Sequence, residues 1–218
     1  MKNTIKELHK IEAQDYRKLY EMFLGAFAEY PKLALAFKDP DDRMAAIGMT
    51  ISYYLAYDLK YGTAYSLDEN INEAVVVVAS EDMDYTDERC RDADCENEEF
   101  AKFAGRLTPE QIRLWWEFFD ELDKQEAALD IPKPHIYVDY VAVRRGMQGQ
   151  RRGSKIIGAL KRFADEQNLP VMLFTNGDDD IRFYIRNGFR IIGVTRSDKY
   201  GFENTYMLYG PEAAEPGM

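Results

Sequence analysis

With 218 residues, 46% of them apolar and 13% aromatic, the chain is long enough for a real hydrophobic core and too apolar to be disordered. Its 39 acidic residues outnumber 28 lysines and arginines, and the resulting net charge of −11 excludes a general nucleic-acid binder. The longest apolar run, Ala74 to Ala79, is too short to span a bilayer, and two cysteines cannot make a disulfide scaffold.

Charged side chains from Lys2 to Asp15 break any signal-peptide core, so a reducing cytoplasm is the expected setting. The charge is unevenly spread. Residues 1–130 hold 29 acids against 15 basic side chains, and segment 81–99 alone holds ten acids. Segment 144–162 holds seven basic residues and no acid. Positive charge concentrated in one short stretch of an acidic chain marks an expected anion site.

In chain order, Tyr16, Leu19, Tyr20, Phe23, Leu24 and Phe27 repeat at helical spacing, and Pro31 is expected to stop that helix. A second helix is predicted over 41–58, entered through Asp41 or Asp42. Two strands follow, over 63–67 and 72–79, the second a β-branched run that suits burial on both faces. Segment 80–100 reads as an acidic surface loop. Thr108-Pro109-Glu110-Gln111 is a capping box with proline at the first helical position, and Ile112, Trp115, Phe119 and Leu122 continue it as an apolar stripe. Trp115 and Trp116 read as core, with a lining role in an acceptor pocket left open. Beyond Pro134 come a strand over 135–143, a helix over 152–167, a strand over 170–175, a short helix over 178–187, and strands over 189–195 and 203–209. That order makes a mixed sheet with helices on its faces. No internal repeat or linker is visible, so 1–218 is expected to be a single domain.

Five of the seven basic residues, Arg144, Arg145, Arg151, Arg152 and Lys155, cluster on the turn from strand 135–143 into the next helix, around Gly149 and Gly153. A helix N-terminus offers unpaired N–H groups and the positive end of its dipole, and glycines let backbone approach an anion. The spacing excludes a Walker loop, and the absence of Gly-x-Gly excludes the dinucleotide fingerprint.

This segment resembles the GNAT superfamily of acetyl-CoA-dependent N-acetyltransferases. Ala142-Val143 is followed by Gln148-Gly149-Gln150-Arg151-Arg152-Gly153-Ser154, in register with the family's Gln/Arg-x-x-Gly-x-Gly/Ala motif, except that Arg151 replaces its first glycine. Phe183-Tyr184-Ile185-Arg186-Asn187-Gly188-Phe189 is similar to the family's Tyr-x-x-x-Gly-Phe signature. Gly25 to Pro31 and the strand pair 63–79 loosely resemble a subgroup acting on small molecules. The resemblance implies an α/β GNAT fold: a mixed, twisted sheet splayed at the fourth and fifth strands, flanked by helices. Residues 131–210 would be the acetyl-CoA-binding core, and 1–130 the acceptor-side half with acidic loop 80–100.

The resemblance also implies roles. Backbone amides of Gln148, Gly149, Gln150, Arg151, Arg152, Gly153 and Ser154 would hold the pyrophosphate of acetyl-CoA, the one co-substrate expected. Side chains of Arg151, Arg152 and Lys155 would add charge. Val141, Ala142 and Val143 would pair with the pantetheine arm, with Asn176 a further contact in a region where family asparagines are replaced by Gly177 and Asp180. Tyr184 would be the general acid. Strand alternation puts His135, Tyr137, Asp139, Val141 and Val143 on one face, and an Asp inside an apolar strand needs a partner or a function. Asp139 is therefore the candidate base, with His135 the weaker alternative. Cys90 and Cys95 have no nearby histidine, and no metal site is expected. Asp178, Asp179 and Asp180 read as cap and dipole residues. The implied reaction is direct acetyl transfer to a primary amine of a small molecule in a ternary complex. No nucleic-acid or membrane partner is expected, and a homodimer is left open. The alternatives are a non-catalytic acyl-CoA-binding module and a protein N-terminal or lysine acetyltransferase.

Overall fold

A computed structural model describes residues 4–29 and 32–210. Pro31, expected to stop the first helix, lies outside them. Seven strands form one sheet: β1 (His9–Lys10), β2 (Thr63–Ser66), β3 (Glu73–Ala79), β4 (Ile136–Val143), β5 (Val171–Thr175), β6 (Arg190–Arg196) and β7 (Glu203–Tyr209). Their order is β1-β2-β3-β4-β5-β7-β6, antiparallel throughout except between β4 and β5. Helices α1 (Tyr16–Phe27), α2 (Leu33–Ala36), α3 (Pro40–Tyr61), α5 (Glu98–Ala104) and α6 (Pro109–Ala127) build a core on the face of Ala74 and Val76. Helices α7 (Arg152–Gln167) and α8 (Asp178–Arg186) build the other core, against Val75, Val77, Ile136 and Val171. Every residue of β3 is buried, as its unbroken β-branched run requires.

Local chemistry sets the helix ends. Asp39, rather than Asp41 or Asp42, caps α3: its Oδ1 accepts from the N–H groups of Asp41 (2.9 Å) and Asp42 (3.2 Å), with Pro40 at the first helical position. Thr108 and Gln111 exchange both bonds of the capping box at the start of α6. Segment 80–100 departs from the expected loop. It contains α4 (Asp87–Asp92) and the start of α5, capped by Thr86 and Asn97. Cys90, Cys95 and Phe100, with Phe103 just beyond the segment, are buried in the core that α3 shares, while eight of the ten acids of 81–99 are exposed. The acids masked a pattern of buried residues too sparse to register as amphipathic.

Two features of β4 make the site. It pairs with β5 only at Ile136↔Val171 and Tyr137↔Met172, then the two strands part. Along β3, Val76 faces Tyr140 while Val77 faces Val138, so Asp139 is the extra residue of a β-bulge. The bulge corrects the simple alternation. Val138 and Val141 share the α7 face, and Tyr137, Tyr140 and Ala142 point the opposite way.

Candidate functional site

The parting of β4 and β5 opens a cavity of about 1410 Å³. At one end its wall is the loop and first turn of α7: Gln148, Gly149, Arg151, Arg152, Gly153 and Ser154. It runs between Val141, Ala142 and Val143 on β4 and Leu173, Phe174 and Thr175 on β5. At the far end it meets α6 and the α3 face.

The α7 end is shaped for an anion. Helix α7 starts without a side-chain cap and has no acid in its first turn. The first N–H groups of the helix therefore face the cavity end unneutralised. Arg151 stands at φ +58°, ψ +16°, the left-handed conformation that a glycine adopts readily. A backbone requirement at this position is thus met by arginine, which leaves a guanidinium at the lip. Gly153 packs closely: a Cβ there would lie 3.3 Å from the Phe183 ring of α8, which would have to shift by a few tenths of an ångström.

The basic cluster is less available than its composition suggests. Arg152 is committed to the buried Glu73 of β3 and to Asp68 at 3.1 Å. Arg144 bonds to Asn72 and the Ile71 carbonyl, Arg145 to Glu29, Lys161 to the Asn187 carbonyl and Arg162 to Glu7. Among the described residues, Arg151 and Lys155 keep no ion pair or side-chain hydrogen bond, and both are exposed. Gln148 closes its own loop, accepting from Gly146 N–H (2.7 Å) and donating to the Val143 carbonyl (3.3 Å). Gln150 is exposed and lies outside the cavity wall. Asn176 is turned away too: its amide donates to the Glu203 carbonyl and to Asn204 Oδ1 (2.6 Å), tying β5 to β7. Asp178, Asp179 and Asp180 sit in the first turn of α8, but Gly177 is the cap and no side-chain cap bond forms.

Tyr184 is buried on α8, edge-on to Phe183 (5.1 Å) and Phe189 (5.4 Å), and contributes to the cavity wall. Asp139 also lines the wall, and its Oδ2 is sealed from water without a donor. Burial pushes its carboxyl up from the usual range. His135 is buried at the start of β4 with Nδ1 2.6 Å from the Pro132 carbonyl, and burial pushes its pKa down. Trp115 is core, donating to Thr50 Oγ1 at 2.9 Å, and Trp116 is partly exposed. The α6 side chains in the wall are instead Phe118, Phe119, Leu122, Asp123 and Glu126.

Four charged residues at this site escape a reading of the sequence alone. Glu126, raised to about 7 chiefly by burial, and Asp123 line the acceptor-side wall. Asp123 and Glu126 follow Phe119 at four and seven residues, so they continue the cavity-facing side of α6, a spacing the sequence does carry. Lys32 is buried with its Nζ 4.5 Å from the Phe174 ring centroid and 5.0 Å from that of Phe202; burial lowers its pKa to about 7. Asp58 is fully buried on α3, outside the cavity wall, and burial, then the charge of Asp139, raise its carboxyl well above the usual range.

Together these residues fit an anionic ligand with an extended arm: unneutralised helix N–H groups and Arg151 at one end, then a β4 edge that β5 leaves unpaired along a slot. Among the described residues no group of three or more His, Cys, Asp or Glu is placed to hold a metal. None of the described helices is long and apolar enough to cross a membrane.

Known proteins agree with this geometry. Residues 87–189 match the model of the Acetyltransferase (GNAT) family. The fold is shared with a structure described as histone acetyltransferase HPA2 and related acetyltransferase from Corynebacterium glutamicum, 18% identical over 97% of this chain and 98% of that one, with a TM-score of 0.57. It is shared with an apo-form mutant of agmatine N-acetyltransferase, 14% identical over 94% and 98%, TM-score 0.61. It is shared also with Drosophila melanogaster polyamine N-acetyltransferase, 14% identical over 94% and 99%, TM-score 0.53. No curated protein matches the sequence. The matched segment runs from α4 through the splayed strands, the α7 loop and α8, so just under half of the chain is similar to the GNAT family of acetyltransferases, and the fold as a whole is that of the solved acetyltransferases.

Proposed function

We propose that the chain transfers the acetyl group of acetyl-CoA to a primary amine of a small cationic molecule, by direct attack in a ternary complex. The observation that carries this reading is one continuous cavity with opposite electrostatics at its ends. The uncapped α7 terminus and Arg151 suit the CoA phosphates, and Asp123, Glu126, Asp139 and Asp84 on the far wall suit a cation. The likeness to acetyltransferases of agmatine and polyamines accords with an acceptor of that charge. The acids that matter come from α6 and β4; of the ten in segment 81–99, Asp84 alone lines the wall.

In this reading the free edge of β4 from Val141 to Val143 pairs with the pantetheine arm, and a backbone N–H polarises the thioester carbonyl. Asp139 takes the proton that the amine sheds, and Tyr184 supplies the proton that the departing thiolate needs. The nitrogen–carbon bond forms as the carbon–sulfur bond breaks, with one net proton released to water. Residues 131–210 bind the co-substrate and 1–130 build most of the acceptor side of a single unit.

The test is thiol release from acetyl-CoA across a panel of mono- and diamines, with Tyr184→Phe and Asp139→Asn alongside the parent chain. Expected are turnover with a cationic amine, a fall in kcat of about 100-fold for Tyr184→Phe with acetyl-CoA binding within about twofold, and loss of the acid limb of the pH–rate profile for Asp139→Asn. Acetyl-CoA binding without release from any acceptor would leave a non-catalytic acyl-CoA-binding module.

A further inference from the structure

The carboxyl group least explained by the fold is that of Asp58. It sits in the last turn of α3, on the stripe of Ile47, Ile51, Tyr54 and Leu55, where helical spacing calls for an apolar side chain. It is fully buried, and neither oxygen has a donor. The same is true of Asp139 Oδ2. A buried carboxylate without a donor or counter-ion costs several kcal/mol and does not persist as such.

The surroundings offer no counter-ion. Around the two carboxyls stand Tyr54 of α3, Tyr85 of the turn before α4, Cys95 of the turn after it, Tyr137 of β4 and Glu126 of α6. Burial raises the pKa of each of the three tyrosines and of the thiol, so all four stay neutral. Among the described residues no lysine, arginine or histidine forms an ion pair with Asp58 or Asp139.

The two acids are brought together by backbone geometry. Gly62 ends α3 against β3, where a Cβ would lie 2.4 Å from the Val77 carbonyl oxygen. Val77 borders the bulge that turns Asp139 onto this face of β4. Burial first, and then the charge of Asp139, raise the Asp58 carboxyl well above the usual carboxylate range, so the two are not ionised together.

We propose that Asp58 and Asp139 form a carboxyl–carboxylate pair sharing one proton, in which Asp58 is a positioning residue that donates to Asp139 and keeps it ionised and aimed at the acceptor amine. The pair carries one negative charge at rest. It becomes neutral when the ammonium gives up its proton, and returns that proton to water after acetyl transfer. Asp58 touches neither substrate, and the role in catalysis rests on the reading of Asp139 as base.

The shared proton is tested directly on the parent protein, labelled with carbon-13 at the aspartate carboxyls. Two carboxyl signals should move together in one protonation step, with a second proton retained beyond pH 7, and the joint step should vanish in Asp58→Asn. Two independent titrations near pH 4, the ordinary range, overturn the proposal. The positioning role is tested by pH–rate profiles. Asp58→Leu, which removes the donor, should move the acid limb up by about one pH unit, a tenfold loss on that limb. Asp58→Asn, which keeps a donor, should restore the parent profile, and acetyl-CoA KM should change less than about twofold in both variants. Coincident profiles for Leu and parent overturn the role. An unchanged profile for Asp139→Asn removes the base reading alone, while the carbon-13 titration still decides the pair.

Discussion

At the scale of single residues, Arg151 shows a side chain retained against the preference of its backbone. Left-handed φ costs a non-glycine residue about 1–2 kcal/mol, and glycine recovers part of that at the expense of chain entropy. Arg151→Gly should therefore stabilise the chain by about 0.5–1 kcal/mol in urea unfolding. It should also weaken acetyl-CoA binding severalfold and flatten its salt dependence, because the exposed guanidinium is lost. Tighter binding by the glycine variant would mean that the arginine crowds the phosphates. Arg152, one position on, has the opposite character, because its guanidinium is already committed inside the protein.

At the scale of elements, that commitment joins three pieces. Arg152 at the start of α7 reaches Glu73 at the start of β3, and Asp68 in the turn from β2. Glu73 is fully buried and also accepts from the Leu67 N–H at 2.9 Å. Removing one partner of a buried ion pair strands the other, at about 3–5 kcal/mol. Arg152→Met should cost that much in denaturant unfolding, and Arg152→Met with Glu73→Met should recover most of it. Independent, additive losses would show that the pair is not a unit. The strut holds the α7 terminus level with the free edge of β4, so the phosphate end of the site is positioned by a contact outside the cavity.

At the scale of the whole molecule, buried acids reverse the usual pH dependence. Asp58, Asp139 and Glu126 are all raised, Glu126 to about 7, so the folded chain holds protons that the unfolded chain gives up near pH 4. Raised carboxyls contribute stability that is present below the unfolded pKa and lost as pH rises through the folded one. Stability should thus fall on the order of 2–3 kcal/mol from pH 5 to pH 7. Lys32, lowered to about 7, opposes the trend only above that pH, and His135, also lowered, opposes it only below its unfolded value near 6.5. Urea midpoints at the two pH values measure the effect, and Asp58→Asn should flatten it. A midpoint that rises with pH would contradict the protonated pair.

The sequence by itself determined the elements from residue 135 onward, the GNAT resemblance, the anion end of the site and the unusual Asp139. Each depends on local chemistry: period-two or 3.6 patterning, a capping box, a glycine-bearing turn before a helix. Tertiary structure decided which charges were free. Five of the seven basic residues proved to be committed to partners distant in the chain, and Asn176 to a neighbouring strand. It also decided the faces of β4, since a bulge arises from register with β3 and leaves no mark on alternation. Asp58, Asp123 and Glu126 lay on apolar stripes, where a carboxylate is a visible anomaly. The meeting of Asp123 and Glu126 with Asp139 around one cavity, and the burial of Asp58 outside its wall, are long-range outcomes set by how α3 and α6 pack on the sheet.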